Sequence, residues 1–523
     1  MTASSLRNRW RNRQEVALLD AREESPFAEA HPFFAVSLPL SKVEMQAYSL
    51  VPRLNAPVVV YDTGEGLAEE LALRLRSMGY SSVSLLEHGL EGWLAAGGEL
   101  FRDVNVPGKA FGELVEAVCH TPSLPAGEVN RLIAEQADMV VLDVRRFNEY
   151  QTMNIPTGVS VPGGELALRV RDIAPSPQTL VVVNCAGRTR SIIGAQSLVN
   201  AGIPNRIAAL LNGTIGWTLA GFALEHKQAR QAQGSSHRSE ARAAAERCAV
   251  KTGVREINAQ ALEEYRADAN QRTLYCLDVR TQQEYEAGHP AGFIWAAGGQ
   301  LVQATDEWIA VRGARIVLFD DDGVRARMTG SWLAQMGWDV SVVKSGAVVS
   351  GETGMPVLPR PPLPHATLIS AAQLSALDNS ALDKTVIVDL APSPIYHRGH
   401  IPGARFLLRS RFATDAAKLP AHAVPVLTSA DGILAQYAAP ELARAMGRAV
   451  AVLEGGTAAW AQAGYSLVSD QHDYVSPAID VYKRPYEGTD STQDSMRAYI
   501  EWELQLVAQI QRDGVANFNV MAP

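Results

Sequence analysis

Four cysteines in 523 residues, at positions 119, 185, 248 and 276, are too few and too scattered for a disulfide framework, so a reducing cytosol is the expected compartment. No Cys/His spacing resembles a zinc site, and neither a metal nor another cofactor is expected. No apolar run approaches the about eighteen residues that a membrane span needs. Cationic residues are in deficit too: 47 Lys and Arg stand against 56 Asp and Glu, a formal net charge of −9. That balance argues against nucleic acid or an anionic membrane as partner. The segment Met1 to Gln14 has no acidic residue and no secretory apolar region, and is expected to be a solvated lead-in to the first strand. What remains is ordinary globular composition, 47% apolar and 20% charged, enough to bury several cores.

Among the four cysteines, Cys185 stands apart. The β-branched run Val181-Val182-Val183 reads as a buried strand that stops at Asn184-Cys185. A short loop, Ala186-Gly187-Arg188-Thr189-Arg190-Ser191, follows, and Ile192 to Leu198 reads as a helix. A thiol at a strand tip, in a loop that opens onto a helix N-terminus, has backbone N–H groups, the helix dipole and guanidinium groups to favour its anion. Cys185 is therefore the candidate nucleophile, and Arg188 and Arg190 point to an anionic substrate. The plain alternative, a small buried strand-end residue, leaves the glycine and arginines of the loop without a purpose. Cys276 lies in the apolar strand Leu274 to Asp278 and reads as a core thiol, while Cys119 and Cys248 fall in linkers with no arginine loop.

The six residues Cys185 to Arg190 resemble the active-site loop of rhodaneses, sulfurtransferases that carry sulfur as a cysteine persulfide. Asp143-Val144-Arg145 with Glu149-Tyr150 resembles that family's first strand and the turn after it. Ile155-Pro156-Thr157-Gly158 resembles its His-Ile-Pro-Gly segment, with Asn154 in the histidine's place, and Asn212-Gly213-Thr214 with Trp217 resembles its closing Gly-Gly-x-x-x-Trp element.

The pattern recurs along the chain. From Cys185 to Gly202, Asp62 to Gly79, Asp320 to Gly337 and Ala430 to Gly447 the spacing is 17 in each case (202 − 185, 79 − 62, 337 − 320, 447 − 430), each glycine reading as a helix C-cap. Asp20-Ala21-Arg22, Asp278-Val279-Arg280 and Asp389-Leu390-Ala391 repeat the Asp143-Val144-Arg145 triplet, and Gly288-His289-Pro290 and Gly399-His400-Ile401-Pro402 repeat the turn. The chain reads as α/β: four tandem rhodanese-like modules, each a mainly parallel sheet flanked by helices, with limits 1–104, 125–228, 255–355 and 366–470. The tail, 471–523, matches no module. A helix is expected there from Thr492 to Arg512, docking through Met496, Tyr499, Ile500, Trp502, Leu504 and Val507. Asn105 to Leu124 is expected to pack against the modules it joins, Glu225 to Val250 to be a solvated, partly helical hinge, and Pro356 to Pro364 an extended connector.

The resemblance implies a thiosulfate sulfurtransferase with one active module. Asp62, Asp320 and Ala430 stand where modules one, three and four would need the cysteine, so these copies cannot form a persulfide. Cys185 would be catalytic, and Arg188, Arg190, Ala186, Gly187, Thr189 and Ser191 would hold the substrate. Arg145 and Arg146 are weaker candidates, because the Asp-x-Arg triplet also occurs in modules that lack the thiol. Trp217 and Asp143 read as structural. The implied partners are a small-molecule donor, thiosulfate or a persulfide, and a thiol or cyanide acceptor, with a protein acceptor also open. A sulfur-relay or regulatory scaffold is the alternative. A cysteine-dependent phosphatase is disfavoured, because its Cys-x5-Arg loop would place the arginine at Ser191.

Overall fold

The computed structural model describes residues 1–344, 346–348, 351–377 and 384–522. Pro523, the last residue of the tail, lies outside them. Each module is built on a sheet whose two central strands run in parallel register. These pairs are Val16–Asp20 with Val58–Tyr61, Met139–Asp143 with Leu180–Asn184, Leu274–Asp278 with Arg315–Phe319, and Thr385–Asp389 with Val424–Thr428. Their Val, Ile and Leu content suits strands covered on both faces by helices. In module two the order is Ser123–Leu124, Ile207–Leu210, Leu180–Asn184, Met139–Asp143 and Val159–Ser160, every pairing parallel.

The Asp-x-Arg triplet locks the end of the first central strand. Arg22, Arg145 and Arg280 lie 2.6 to 2.7 Å from Asp20, Asp143 and Asp278, and each also donates to the carbonyl eight residues on, that of Ala30, Met153 or Gly288. The closing tryptophan repeats as well. Trp93, Trp217 and Trp460 are buried, and each indole N–H donates to the carbonyl six residues ahead. Module four keeps Asp389 but has Ala391 in the arginine's place. With no arginine to oppose it, burial pushes the Asp389 carboxyl up to about 6, against the pull of the Ala391 amide and His400.

The modules are not separate beads. Val311–Arg312, from module three, adds antiparallel to Val16–Asp20 of module one, and one continuous core joins these two modules through residues such as Val60, Phe111, Leu318 and Trp332. Module four keeps its own two cores. It is tied to module one by Arg409, buried between Glu44 and Glu441 at 2.7 Å from each.

Four expectations change. The N-terminal stretch is not solvated: Ala3–Arg11 is a helix that buries Leu6 and Trp10, and its Arg7 pairs with Asp513 at 2.9 Å. Its apolar residues fall on one face and meet the tail. Glu225 to Val250 is not a hinge, because Arg238–Lys251 is a helix that buries Ala241, Ala244, Ala245 and Cys248 against module two. Its small apolar residues at helical spacing allow that close packing. The tail forms two helices, Gln493–Glu503 and Leu506–Asp513, with Leu504 exposed at the break and Leu506 and Ile510 buried instead. Lastly, strand register places Thr428 opposite Asp389, so the residue matching Cys185 is Ser429, not Ala430. Helix Ile433–Met446 runs one residue further before its glycine cap, which misled the count from Gly447.

Candidate active site

Residues 62, 185, 320 and 429 follow the central-strand partners Tyr61, Asn184, Phe319 and Thr428 and open a cup onto a helix. In every module the amide six residues ahead points back at this first position. Ala68 N donates to Asp62 at 3.0 Å, Ala326 N to Asp320 at 2.9 Å and Ala435 N to Ser429 at 3.4 Å. In module two the amides of Ser191 and Gly187 serve the Cys185 sulfur. The cup is thus an anion cradle, and modules one and three fill it with their own carboxylates. Gly213 closes the cup from behind: with φ at +54°, it lies so near that a Cβ would collide with the Cys185 carbonyl.

Cys185 is 2% exposed. Its thiol donates to Ser191 Oγ at 3.4 Å, and Ser191 Oγ in turn donates to the Arg188 carbonyl at 2.8 Å. Burial pushes the Cys185 pKa up, while Arg190 and the hydrogen bonds from Ser191 and Gly187 pull it down. The other cysteines are free thiols also raised by burial, Cys276 to about 11, and none has an arginine loop around it.

The two loop arginines are already engaged. Arg190 makes a bidentate pair with Glu149, 2.8 Å on each arm. Burial works to raise the Glu149 carboxyl, but the Arg190 charge and hydrogen bonds hold it at about 2. Module three repeats this pair as Arg325 with Glu284, although its cup holds Asp320 and no thiol. Arg188 reaches away into the linker helix Val106–Cys119, bidentate with Glu113 at 2.7 and 2.8 Å, touching Glu116 and donating to Asn212 at 3.0 Å. Thr189 packs on Gly112 of that helix, and Ala186 faces the tail. Arg145 is held by Asp143, and Arg146 is exposed and paired with Glu307 at 3.3 Å. Sequence reasoning missed Glu113, Glu116, Glu149 as the Arg190 partner, and the tail residues Tyr486, Tyr499 and Glu503. Only the Glu149/Glu284 repeat carried a signal that could have found one of them.

Among the described residues no group of His, Cys, Asp and Glu could hold a metal ion, and no helix is long and apolar enough to cross a membrane.

Fold and cup together define a class: an α/β enzyme of repeated modules in which one strand-tip thiol sits in an anion cradle. Residues 2–96, 125–220, 258–348 and 370–463 match the family model of the rhodanese-like domain. The crystal structure of a thiosulfate sulfurtransferase from Pseudomonas aeruginosa is 51% identical, with a TM-score of 0.97, over 100% of this chain and 99% of that one. A protein from Anabaena sp. is 28% identical over 20% of this chain and 82% of its own, with a TM-score of 0.18. No curated protein matches. The chain belongs to the rhodanese family and is a rhodanese-type enzyme.

Proposed function

We propose that this chain moves sulfane sulfur from thiosulfate, or a related anionic donor, to a thiophilic acceptor through a persulfide on Cys185. The observation that carries the reading is the single thiol in the module-two cradle, where the other cups hold Asp62, Asp320 and Ser429. The full-length likeness to a protein titled thiosulfate sulfurtransferase supports the choice of donor.

In the first half-reaction Cys185 gives its proton to water, and Ser191 turns its hydroxyl from the Arg188 carbonyl toward the thiolate. The thiolate attacks the outer sulfur of thiosulfate. The S–S bond of the donor breaks, sulfite leaves with the bonding pair, and Cys185 holds a persulfide anion. The amides of Gly187 and Ser191 then lie against that anion, and Arg190 supplies positive charge behind it. In the second half-reaction the acceptor (cyanide, glutathione or a protein thiol) attacks the outer sulfur and frees the thiolate.

Arg190, tuned by Glu149, is the electrostatic partner of the sulfur. Arg188 acts by fixing the loop through Glu113 and Glu116. Arg145 holds the strand end and Arg146 stays at the rim. Four free cysteines suit a reducing compartment such as the cytoplasm. Steady-state kinetics with thiosulfate and cyanide test the reading. Parallel double-reciprocal lines are expected, with loss of more than about a thousandfold in Cys185→Ala. Intersecting lines with an unaffected variant would refute it.

A further inference from the structure

The tail has no counterpart in the repeat, yet it closes over the loop that bears the thiol. Tyr486, Tyr499 and Ile500 form an apolar cluster with Ala186 of the loop and with Ile215. A Cβ on Gly187 would lie 3.3 Å from Tyr499 Cε1 and 3.5 Å from Glu503 Oε2, so the tail rests directly on the loop backbone. Lys109 of the linker helix, paired with Asp103 at 2.6 Å, lies 5.7, 5.1 and 5.3 Å from the ring centres of Tyr486, Tyr499 and Trp502 and pins them. Glu503 is 1% exposed. Its Oε1 accepts from the Tyr499 hydroxyl at 2.7 Å, while Oε2 has no hydrogen-bond partner. A buried carboxyl oxygen without a partner, set against the loop two residues beyond the thiol, is not explained by docking of the tail alone.

Resting on the reading that Cys185 carries the sulfur, we propose that the segment from Tyr486 to Glu503 is a selectivity roof over the Cys185 cup, with Tyr486, Tyr499 and Glu503 deciding what reaches the thiol. A small anion enters when the roof lifts locally. A bulky acceptor needs helix Gln493–Glu503 to leave its seat. Glu503 couples that motion to pH. Burial pushes its carboxyl from 4.5 up to about 8, against the pull of Lys109. The groups facing it are Lys109 and Glu113 on the linker helix, Arg188 on the loop and Tyr499 on its own helix. Because the folded value lies above the unfolded one, the stabilisation from the neutral acid is complete below about 4.5 and is lost progressively as pH rises from there to about 8.

The test uses the full-length chain, with iodoacetamide alkylation followed peptide by peptide and hydrogen exchange over residues 493–503. Tyr499→Ala should speed Cys185 alkylation on the order of tenfold by favouring local opening, with Cys119, Cys248 and Cys276 unchanged. In the wild type, exchange protection corrected for intrinsic rates should fall as pH rises from about 5 to about 8 and level off above that. In Glu503→Gln it should be flat, which keeps the roof testable if Tyr499→Ala misfolds. An unchanged Cys185 rate in a folded Tyr499→Ala, or a pH-dependent loss of protection that persists in Glu503→Gln, would overturn the proposal. Neither readout involves sulfur transfer. Failure of Cys185 to take up sulfur would therefore refute the functional reading while the roof stands or falls by itself.

Discussion

Cys185 rests as a thiol because burial outweighs the charge of Arg190, and Glu149 controls how much of that charge the sulfur feels. Glu149→Gln should therefore lower the pH at which Cys185 becomes reactive to iodoacetamide, and Arg190→Met should raise it. The former also leaves Arg190 buried without its partner, at a cost of about 3–5 kcal/mol in denaturant unfolding. Since the Glu149 carboxyl is depressed to about 2, its contribution to stability is present above its unfolded value of 4.5 and is lost as pH falls toward 2. At this scale the strand-tip thiol and its loop were legible in the sequence, but the state of the arginines was not. Arg188 is satisfied by Glu113, 75 residues upstream in a linker, and no local spacing announces a pair at that distance.

At the scale of the element, the Asp-x-Arg lock comes with a natural control. Asp143→Asn should leave Arg145 unpaired in the core and lower stability by about 3–5 kcal/mol. Asp389→Asn should act in the opposite sense at alkaline pH. The Asp389 carboxyl is raised to about 6, so the folded state prefers it protonated, and stability is lost as pH rises through that value. Above pH 7 the amide, which can still accept from Ala391 N, should raise stability by about 1–3 kcal/mol, and below pH 4 the two proteins should unfold alike. Chemical denaturation across pH checks both. Such elements were legible because strand, turn and cap motifs recur at fixed local offsets. Ser429 was misplaced because helix length, unlike strand register, can vary by a residue without disturbing the cup.

Across the whole molecule, the arrangement of modules depends on contacts that no repeat encodes: the added strand Val311–Arg312, the tail on the loop, and Arg409 between two glutamates. Arg409→Met should leave the buried Glu44 carboxylate with Arg74 alone and loosen module four from module one, seen as a larger radius in solution scattering while each module stays folded. The four modules could be counted from the sequence, but not their mutual docking, because inter-module pairs join residues hundreds of positions apart. The most direct test of the central claim is mass spectrometry after incubation with thiosulfate. One added sulfur atom on the Cys185 peptide, absent in Cys185→Ser, is the result expected. Sulfur on Cys119, Cys248 or Cys276, with the Cys185 peptide unmodified, would contradict it.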